Sequence, residues 1–124
     1  MLEELEAKLS KDTNGLLTYE YIANHINSID EVMPDLVENM IRVDKTGQFV
    51  VSTARYLNAI DAQKFADSID TLIKAAIEKD RSRAYLPDLV ASIWGVDYKE
   101  RAAELNATDD NFRRIYKRLY PVGM

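Results

Sequence analysis

The chain has 124 residues, 47% of them apolar and 30% charged, and its formal net charge is −5. This length and composition predict one domain over residues 1–124 with a buried core, and they exclude an intrinsically disordered chain. With no cysteine and a single histidine, His25, the sequence excludes disulfide scaffolds, thiolate metal sites and cysteine nucleophiles.

Hydropathy predicts no membrane association. No apolar run approaches the ~20 residues that cross a bilayer, and the acidic N-terminus lacks the basic and apolar regions of a secretory signal. We therefore expect a cytoplasmic protein, which the absence of cysteine also favours.

The charge is unevenly distributed. Residues 1–48 carry ten acidic and four basic side chains, a balance of −6, whereas residues 84–124 carry six of each. Residues 111–120 contain four basic side chains and no acidic one. The acidic whole argues against a polyanionic partner, and this gradient weakens that argument.

The N-terminal half shows apolar residues at helical spacing. Leucines at 2, 5 and 9 predict a helix over residues 2–11, and Thr18 is the expected cap of a second helix. Ser28 and Glu31 match a capping box before a third helix, which carries Pro34 in its first turn.

Residues 40–52 allow two interpretations. Two apolar segments around Lys45-Thr-Gly47 match a β-hairpin with a three-residue turn. Alternatively, Gly47 ends one helix and Phe49–Ile60 forms the next. We favour the helix, because residues 49–60 contain no helix breaker and an isolated two-stranded hairpin is poorly stable.

Helical periodicity is strongest over residues 61–80, where Asp61 is the expected cap. Pro87 then fits the first position of a helix that Gly95 closes.

Two short helices complete the pattern. Asp97 and Glu100 are expected to open a helix that runs to Leu105, and Thr108 to cap a last helix that Pro121 ends. The predicted fold class is therefore all-α, a compact bundle of seven or eight short amphipathic helices. Its expected core contains Ile22, Val37, Ile41, Phe65, Ile69, Leu72, Ile73, Leu89, Ile93, Phe112 and Ile115.

A faint internal similarity links Ile26-Asn-Ser-Ile-Asp30 with Leu57-Asn-Ala-Ile-Asp61, about 31 residues later. Helical repeats have similar periods, but at least about three copies are normally needed to build a solenoid. Two copies with five similar residues are more often a chance match.

The residues that carry chemistry predict a protein that is not an enzyme. His25 has Tyr21 and Ile29 one helical turn away, and neither is a metal ligand. Pairs of carboxylates fall on the polar sides of the predicted helices, and no glycine-rich phosphate loop or nucleophile elbow is present. We therefore expect no catalytic residues, no metal and no cofactor.

One segment, Tyr98-KERAAELNATDDNFRRIY-Lys117, resembles a bacterial helix-turn-helix of the repressor and sigma-factor type. The resemblance rests on Ala102, Leu105, Asn106 in the left-handed turn position, Thr108 as cap, Phe112 and Ile115. It implies a unit over residues 98–120 whose last helix is a recognition helix that lies in the major groove of DNA. The residues it assigns to nucleic-acid binding are Asn111, Arg113, Arg114, Lys117 and Arg118. The alternative is that these basic residues form a solvated helix face.

The predicted function follows from these observations. We expect a non-catalytic protein that binds another protein or forms a homo-dimer through amphipathic helix faces. The alternative is a DNA-binding regulator that uses residues 98–120.

Overall fold

A computed structural model describes residues 2–121, which are mainly helical and contain no strand. This part of the chain forms α1 (Glu3–Ser10), α2 (Leu16–Asn24), α3 (Met33–Val43), α4 (Gln48–Asp61), α5 (Ala66–Lys79), α6 (Leu86–Trp94), α7 (Ala102–Thr108) and α8 (Asp110–Leu119), with a 3-10 turn at Asp30–Val32 before α3. The all-α prediction is confirmed. None of the described helices is long and apolar enough to span a membrane.

The hairpin alternative for residues 40–52 is wrong. Helix α3 continues to Val43, and Gly47, with a φ of 96°, directly precedes α4. The carboxylate of Asp44 accepts hydrogen bonds from the first backbone N–H groups of α4, which have no partner inside the helix. Because one side chain satisfies these donors, a helix can begin here without a strand partner.

The helices form two layers. In one layer α3 packs against α1 and α5. In the other layer α4 packs against α2 and α6, and α8 packs against α6. The most extensive contact between the layers joins α4 to α5. We refer to the pairs α1–α2, α3–α4, α5–α6 and α7–α8 as repeat units, each with a first helix, a short turn and a second helix. Each unit packs mainly on its neighbours in sequence, as in helical-repeat proteins. The fourth unit departs from this pattern, because α8 also packs on α5.

An aspartate lies in the turn of every repeat unit. Asp12, Asp44, Asp80 and Asp109 each separate a first helix from a second helix. Asp44 and Asp80 are each only 1% exposed. A buried carboxylate is costly unless it is hydrogen-bonded, so the partners of these side chains matter.

Backbone N–H groups supply those partners. Asp44 Oδ2 accepts from Phe49 N at 2.9 Å and Val50 N at 2.8 Å, while Oδ1 accepts from Gly47 N. Asp80 Oδ2 accepts in the same way from Tyr85 N and Leu86 N. Each carboxylate thus holds its own turn together and caps the following helix.

The turns of the first three units stack on one another. A Cβ atom at Gly15 would lie 2.9 Å from Phe49 Cβ and 3.3 Å from Asp44 Cβ of the second turn, and Gly47 packs in the same way against Asp80 of the third. Both glycines also have a positive φ. The third turn has Arg83 at the equivalent position, with a φ of 62°. Within residues 2–121 no further turn of this kind packs there, so a large side chain fits.

Several predicted helix caps are wrong. Thr18 lies inside α2, where its hydroxyl donates to Asp12 Oδ2, and Gly15 precedes the helix instead. The Ser28 hydroxyl contacts the carbonyl of His25, so no capping box forms with Glu31. The Asp12 carboxylate accepts from Thr18 N at the beginning of α2, and the 3-10 turn at Asp30–Val32 leads directly into α3. Neither helix therefore needs a hydroxyl cap.

Two boundaries in the second half also differ from the prediction. Helix α4 extends through Asp61, and α5 begins only at Ala66, so Asp61 caps an intervening turn by accepting from Lys64 N. Residues 97–101 form turns, and α7 begins at Ala102. Continuous apolar periodicity hid the break between α4 and α5.

The core agrees closely with the prediction. Nine of the eleven expected core residues are buried, and Ile41 and Ile93 are half-buried. Leu9, Leu36 and Leu57 are also fully buried. Burying one such leucine contributes about 1.5–3 kcal/mol. The two similar segments do not occupy equivalent places, because residues 26–30 follow the end of α2, whereas residues 57–61 are the last residues of α4.

Candidate functional site

Helix α8 carries all five residues that the sequence assigns to nucleic-acid binding. Phe112 and Ile115 are fully buried on its inner side, so the charged residues lie towards the outside. The five residues are nevertheless not equivalent. Some are occupied by neighbouring side chains, and others remain available.

Asn111 and Arg113 already have partners. The Asn111 amide donates to Asp70 Oδ1 on α5 at 2.8 Å, and Arg113 forms an ion pair with Asp110. The Lys74 side chain, together with the amide of Asn111, lowers the pKa of Asp70 against the opposing effect of burial. These contacts fix α8 on α5 and neutralise the exposed beginning of α8.

The turn expected from the helix-turn-helix resemblance is absent from residues 98–120. Asn106 lies inside α7, and Arg83 is the one non-glycine residue of the described chain with a positive φ. Thr108 ends α7 rather than capping α8, and Asp109 alone connects the two helices. Helix-turn-helix units use a turn of about 3–4 residues, which is longer than this connection. The predictions of Asn106 in a left-handed conformation and of Thr108 as the cap of the last helix are therefore wrong.

Four arginines meet where the third turn approaches α8. Arg118 donates to the carbonyl of Ile77 at the end of α5, and Arg83 donates to the carbonyl of Arg118 at 3.5 Å. Arg114 lies one helical turn before Arg118, and Arg81 lies in the turn beside Arg83. We refer to Arg81, Arg83, Arg114 and Arg118 as the arginine cluster.

The neighbouring charges of the cluster act on Arg118. Burial lowers the pKa of Arg118, and the positive charges of Arg81 and Arg114 lower it further, while Asp80 opposes them. Asp80 is buried and already bonded to its own turn. None of the ion pairs between residues 2 and 121 involves a member of the cluster.

Ion pairs lie elsewhere on the described chain. Between residues 2 and 121 they join Lys64 to Asp30, Lys74 to Asp70, Arg101 to Asp97 and Arg113 to Asp110. Glu78, exposed on α5, forms no ion pair with the cluster, and Lys117 is exposed on α8 just outside it. In a protein of net charge −5, these arginines form a local positive surface.

A second surface feature lies between the first helices α3 and α5. Val37 and Ile41 form an apolar floor there, and Glu38 and Asp67 lie on the two rims. We call this the α3–α5 groove. Its complete lining is Pro34, Val37, Glu38, Ile41, Asp67, Ser68 and Thr71, and it adjoins a second hollow beside Phe65.

His25 does not belong to either feature. Its ring stacks on Tyr21 with centroids 4.1 Å apart, and Nδ1 lies 2.9 Å from the Tyr21 carbonyl oxygen. Within residues 2–121, no group of three or more histidine or acidic side chains is placed to hold a metal ion.

No protein-family model matches the chain, and no similar curated protein or solved structure was found.

Sequence reasoning found only half of the cluster. Arg81 and Arg83 lie well before α8 in the sequence, and nothing in their local pattern indicates that they reach it. The missed signal was the recurrence of Asp-x-x-Gly at 12–15 and 44–47. Residues 80–83 have the same spacing, with Asp80 in the first position and Arg83 in place of the glycine. That recurrence predicts a third turn at 80–83 with Arg83 in the glycine position.

Proposed function

We propose that this protein is a non-catalytic binding module and that its α3–α5 groove holds a segment of a partner protein. The observation that carries the proposal is an apolar floor between two helices that no other described element covers. Pro34 is exposed at the edge of the groove, and Ile41 is only half-buried. Helical-repeat proteins commonly bind partners on extended surfaces of this kind.

Charge defines the chemistry of the expected partner. Glu38 and Asp67 are exposed on opposite rims, and the surrounding first third of the chain is strongly acidic. Apolar side chains of a partner would fill the floor, and flanking Lys or Arg side chains would face the rims. An amphipathic segment that is apolar on one face and basic beside it fits both features.

A pair of designed peptides tests this proposal with the full chain. Both peptides carry leucines at i, i+3 and i+7, one flanked by lysines and the other by glutamates. Fluorescence anisotropy should detect binding of the lysine peptide only. In the Glu38→Lys and Asp67→Lys double variant the affinity should fall at least tenfold, or about 1.4 kcal/mol.

A matched control separates the groove from general attraction to an acidic protein. The Glu20→Lys and Glu104→Lys double variant makes the same change in net charge at exposed positions outside the groove. It should bind the lysine peptide within about twofold of the wild type. Equal losses in the two variants would contradict the proposal.

Self-association is the other outcome to be measured. Sedimentation of the chain alone, over a range of concentrations, detects a homo-dimer. If a dimer forms and the Glu38→Lys and Asp67→Lys variant abolishes it, the occupant of the groove is a second copy rather than a different protein.

A further inference from the structure

We propose that the arginine cluster is a second, independent site, which binds the phosphate backbone of a nucleic acid without reading its bases. The site is assembled from two distant parts of the chain, the turn between α5 and α6 and the outer side of α8. It differs from the helix-turn-helix interpretation in its residues and in its mode of recognition.

The chemistry of arginine supports a phosphate ligand. Each guanidinium presents several N–H donors in a planar fork, and this geometry matches phosphate oxygens. Arg81 and Arg114 are exposed, and neither makes an ion pair or a side-chain hydrogen bond within residues 2–121. Their donors are therefore free for a ligand.

The backbone beneath the cluster is held in place. Asp80 accepts hydrogen bonds from the N–H groups of Ala84, Tyr85 and Leu86, which fixes the turn that carries Arg81 and Arg83. Arg118 binds the end of α5 through the Ile77 carbonyl, which fixes the position of α8 beside that turn. The like charges are thus kept together by the fold, although they repel one another.

The surroundings of the cluster favour a nucleic-acid backbone over a protein or a membrane. The exposed large apolar side chains of the described residues are Leu2, Leu16, Leu17, Ile60 and Val96, and none belongs to the cluster. A protein interface usually contains an apolar centre, and a peripheral membrane site usually inserts apolar side chains. A phosphate backbone requires only cations.

Base reading by α8 is disfavoured for a separate reason. A recognition helix contacts bases with residues near its beginning. Here Asn111 is bound to Asp70, and Arg113 to Asp110. The cluster lies instead towards the end of α8, so we expect binding that depends on salt and not on sequence.

The test uses the full chain and two unrelated 20-base-pair duplexes labelled with fluorescein. Anisotropy is measured between about 50 and 200 mM salt, where each phosphate contact contributes about 0.9 to the slope of log affinity against log salt. Both duplexes should bind with similar affinity. The Arg81→Ala and Arg114→Ala double variant should lower the slope by about 2 and weaken binding at low salt at least tenfold.

The control removes two arginines that the structure places outside the cluster, by Arg101→Ala and Arg113→Ala. Both are exposed and paired with Asp97 and Asp110. This variant has the same net charge as the cluster variant and should bind DNA within about twofold of the wild type. Circular dichroism and thermal unfolding of each variant establish that it is folded.

Four outcomes would overturn the inference. The first is no binding to either duplex at low salt, and the second is equal weakening in both double variants. The third is a strong preference for one duplex that Arg113→Ala abolishes, which would restore a recognition helix. The fourth is that neither duplex binds, while the wild type binds anionic lipid vesicles or associates with itself and the cluster variant does not.

Discussion

Asp12 shows how one side chain can stabilise a turn between helices. Its carboxylate is largely buried and accepts hydrogen bonds from Asn14 N, Gly15 N and Thr18 N, and from the Thr18 hydroxyl. Burial, the largest single effect, raises the pKa of Asp12, but the hydrogen bonds together outweigh it and lower the pKa below its usual 3.8. The charged form of Asp12 is therefore the form that the folded state favours.

This shift predicts a dependence of stability on pH. Because the pKa of Asp12 is lower in the folded state, its contribution is complete above the usual value of 3.8 and is lost as the pH falls through the folded value. We expect Asp12→Asn to be less stable than the wild type at pH 7. Urea unfolding followed by circular dichroism should show this difference shrinking between about pH 5 and about pH 2.

Asp88→Asn is the matched control for Asp12→Asn. Asp88 is exposed in the first turn of α6 and makes no side-chain hydrogen bond or ion pair among the described residues. Its replacement should change the free energy of unfolding by less than about 0.5 kcal/mol. A difference between wild type and Asp12→Asn that stays constant on acidification would refute the role given to the Asp12 carboxylate.

At the scale of elements, Asp109 connects three helices. Its Oδ1 accepts from Phe112 N at the beginning of α8, and its Oδ2 accepts from the Trp94 indole N–H at the end of α6, at 2.8 Å. One carboxylate thus caps α8 and fixes it to the preceding repeat unit. The Trp94 ring also packs edge-on against Phe112, with centroids 5.4 Å apart.

We predict that Asp109→Ala weakens the attachment of α7 and α8. Loss of the cap should lower the free energy of unfolding by about 1–2 kcal/mol. Trp94 is the only tryptophan, so a change in its fluorescence emission should report the lost hydrogen bond directly. Urea titration followed by fluorescence measures both effects in one experiment.

Asp110→Ala provides the comparison for Asp109→Ala on the same helix. Asp110 is exposed and forms a surface ion pair with Arg113, which contributes at most about 1 kcal/mol. Its replacement should leave the Trp94 emission unchanged. If both variants alter the emission equally, Asp109 does not bind Trp94 in solution.

The helices show why their existence could be predicted while some of their ends could not. Apolar residues at 62, 65, 66 and 69 keep a helical period across the turn between α4 and α5, so the pattern gave no sign of the break. The four aspartates were individually visible in the sequence. Their action as caps depends on backbone donors up to six residues later, which a search for Ser or Thr before each helix does not detect.

At the scale of the whole molecule, both candidate surfaces depend on contacts between repeat units. The α3–α5 groove exists because first helices of successive units lie side by side, and the arginine cluster exists because α8 returns to α5. Composition and periodicity identified the basic residues of α8. They could not show that Arg81 joins them or that Asn111 is occupied by Asp70, because these are tertiary contacts.

The layered arrangement also determines how the molecule should open. Each repeat unit packs mainly on its neighbours, so a terminal unit has fewer contacts to lose than a central one. Helix α1 buries only Leu9, whereas α5 buries six residues and packs on α3, α4 and α8. Local opening should therefore begin at α1 and α2 and reach α4 and α5 last.

Native-state hydrogen exchange tests this order. We predict the lowest amide protection in α1 and α2, intermediate protection in α8 and the highest in α4 and α5. Leu9→Ala, which removes about 2–5 kcal/mol of packing, should lower protection in the first unit and leave α6 and α8 unchanged. Leu72→Ala, in the centre of α5, should instead lower protection in every helix, because α5 packs on α3 and α4 of the preceding unit and on α8 of the following unit. If Leu9→Ala instead lowers protection equally throughout the chain, the fold unfolds as one cooperative unit, and the aspartate turns do not separate it into units that open independently.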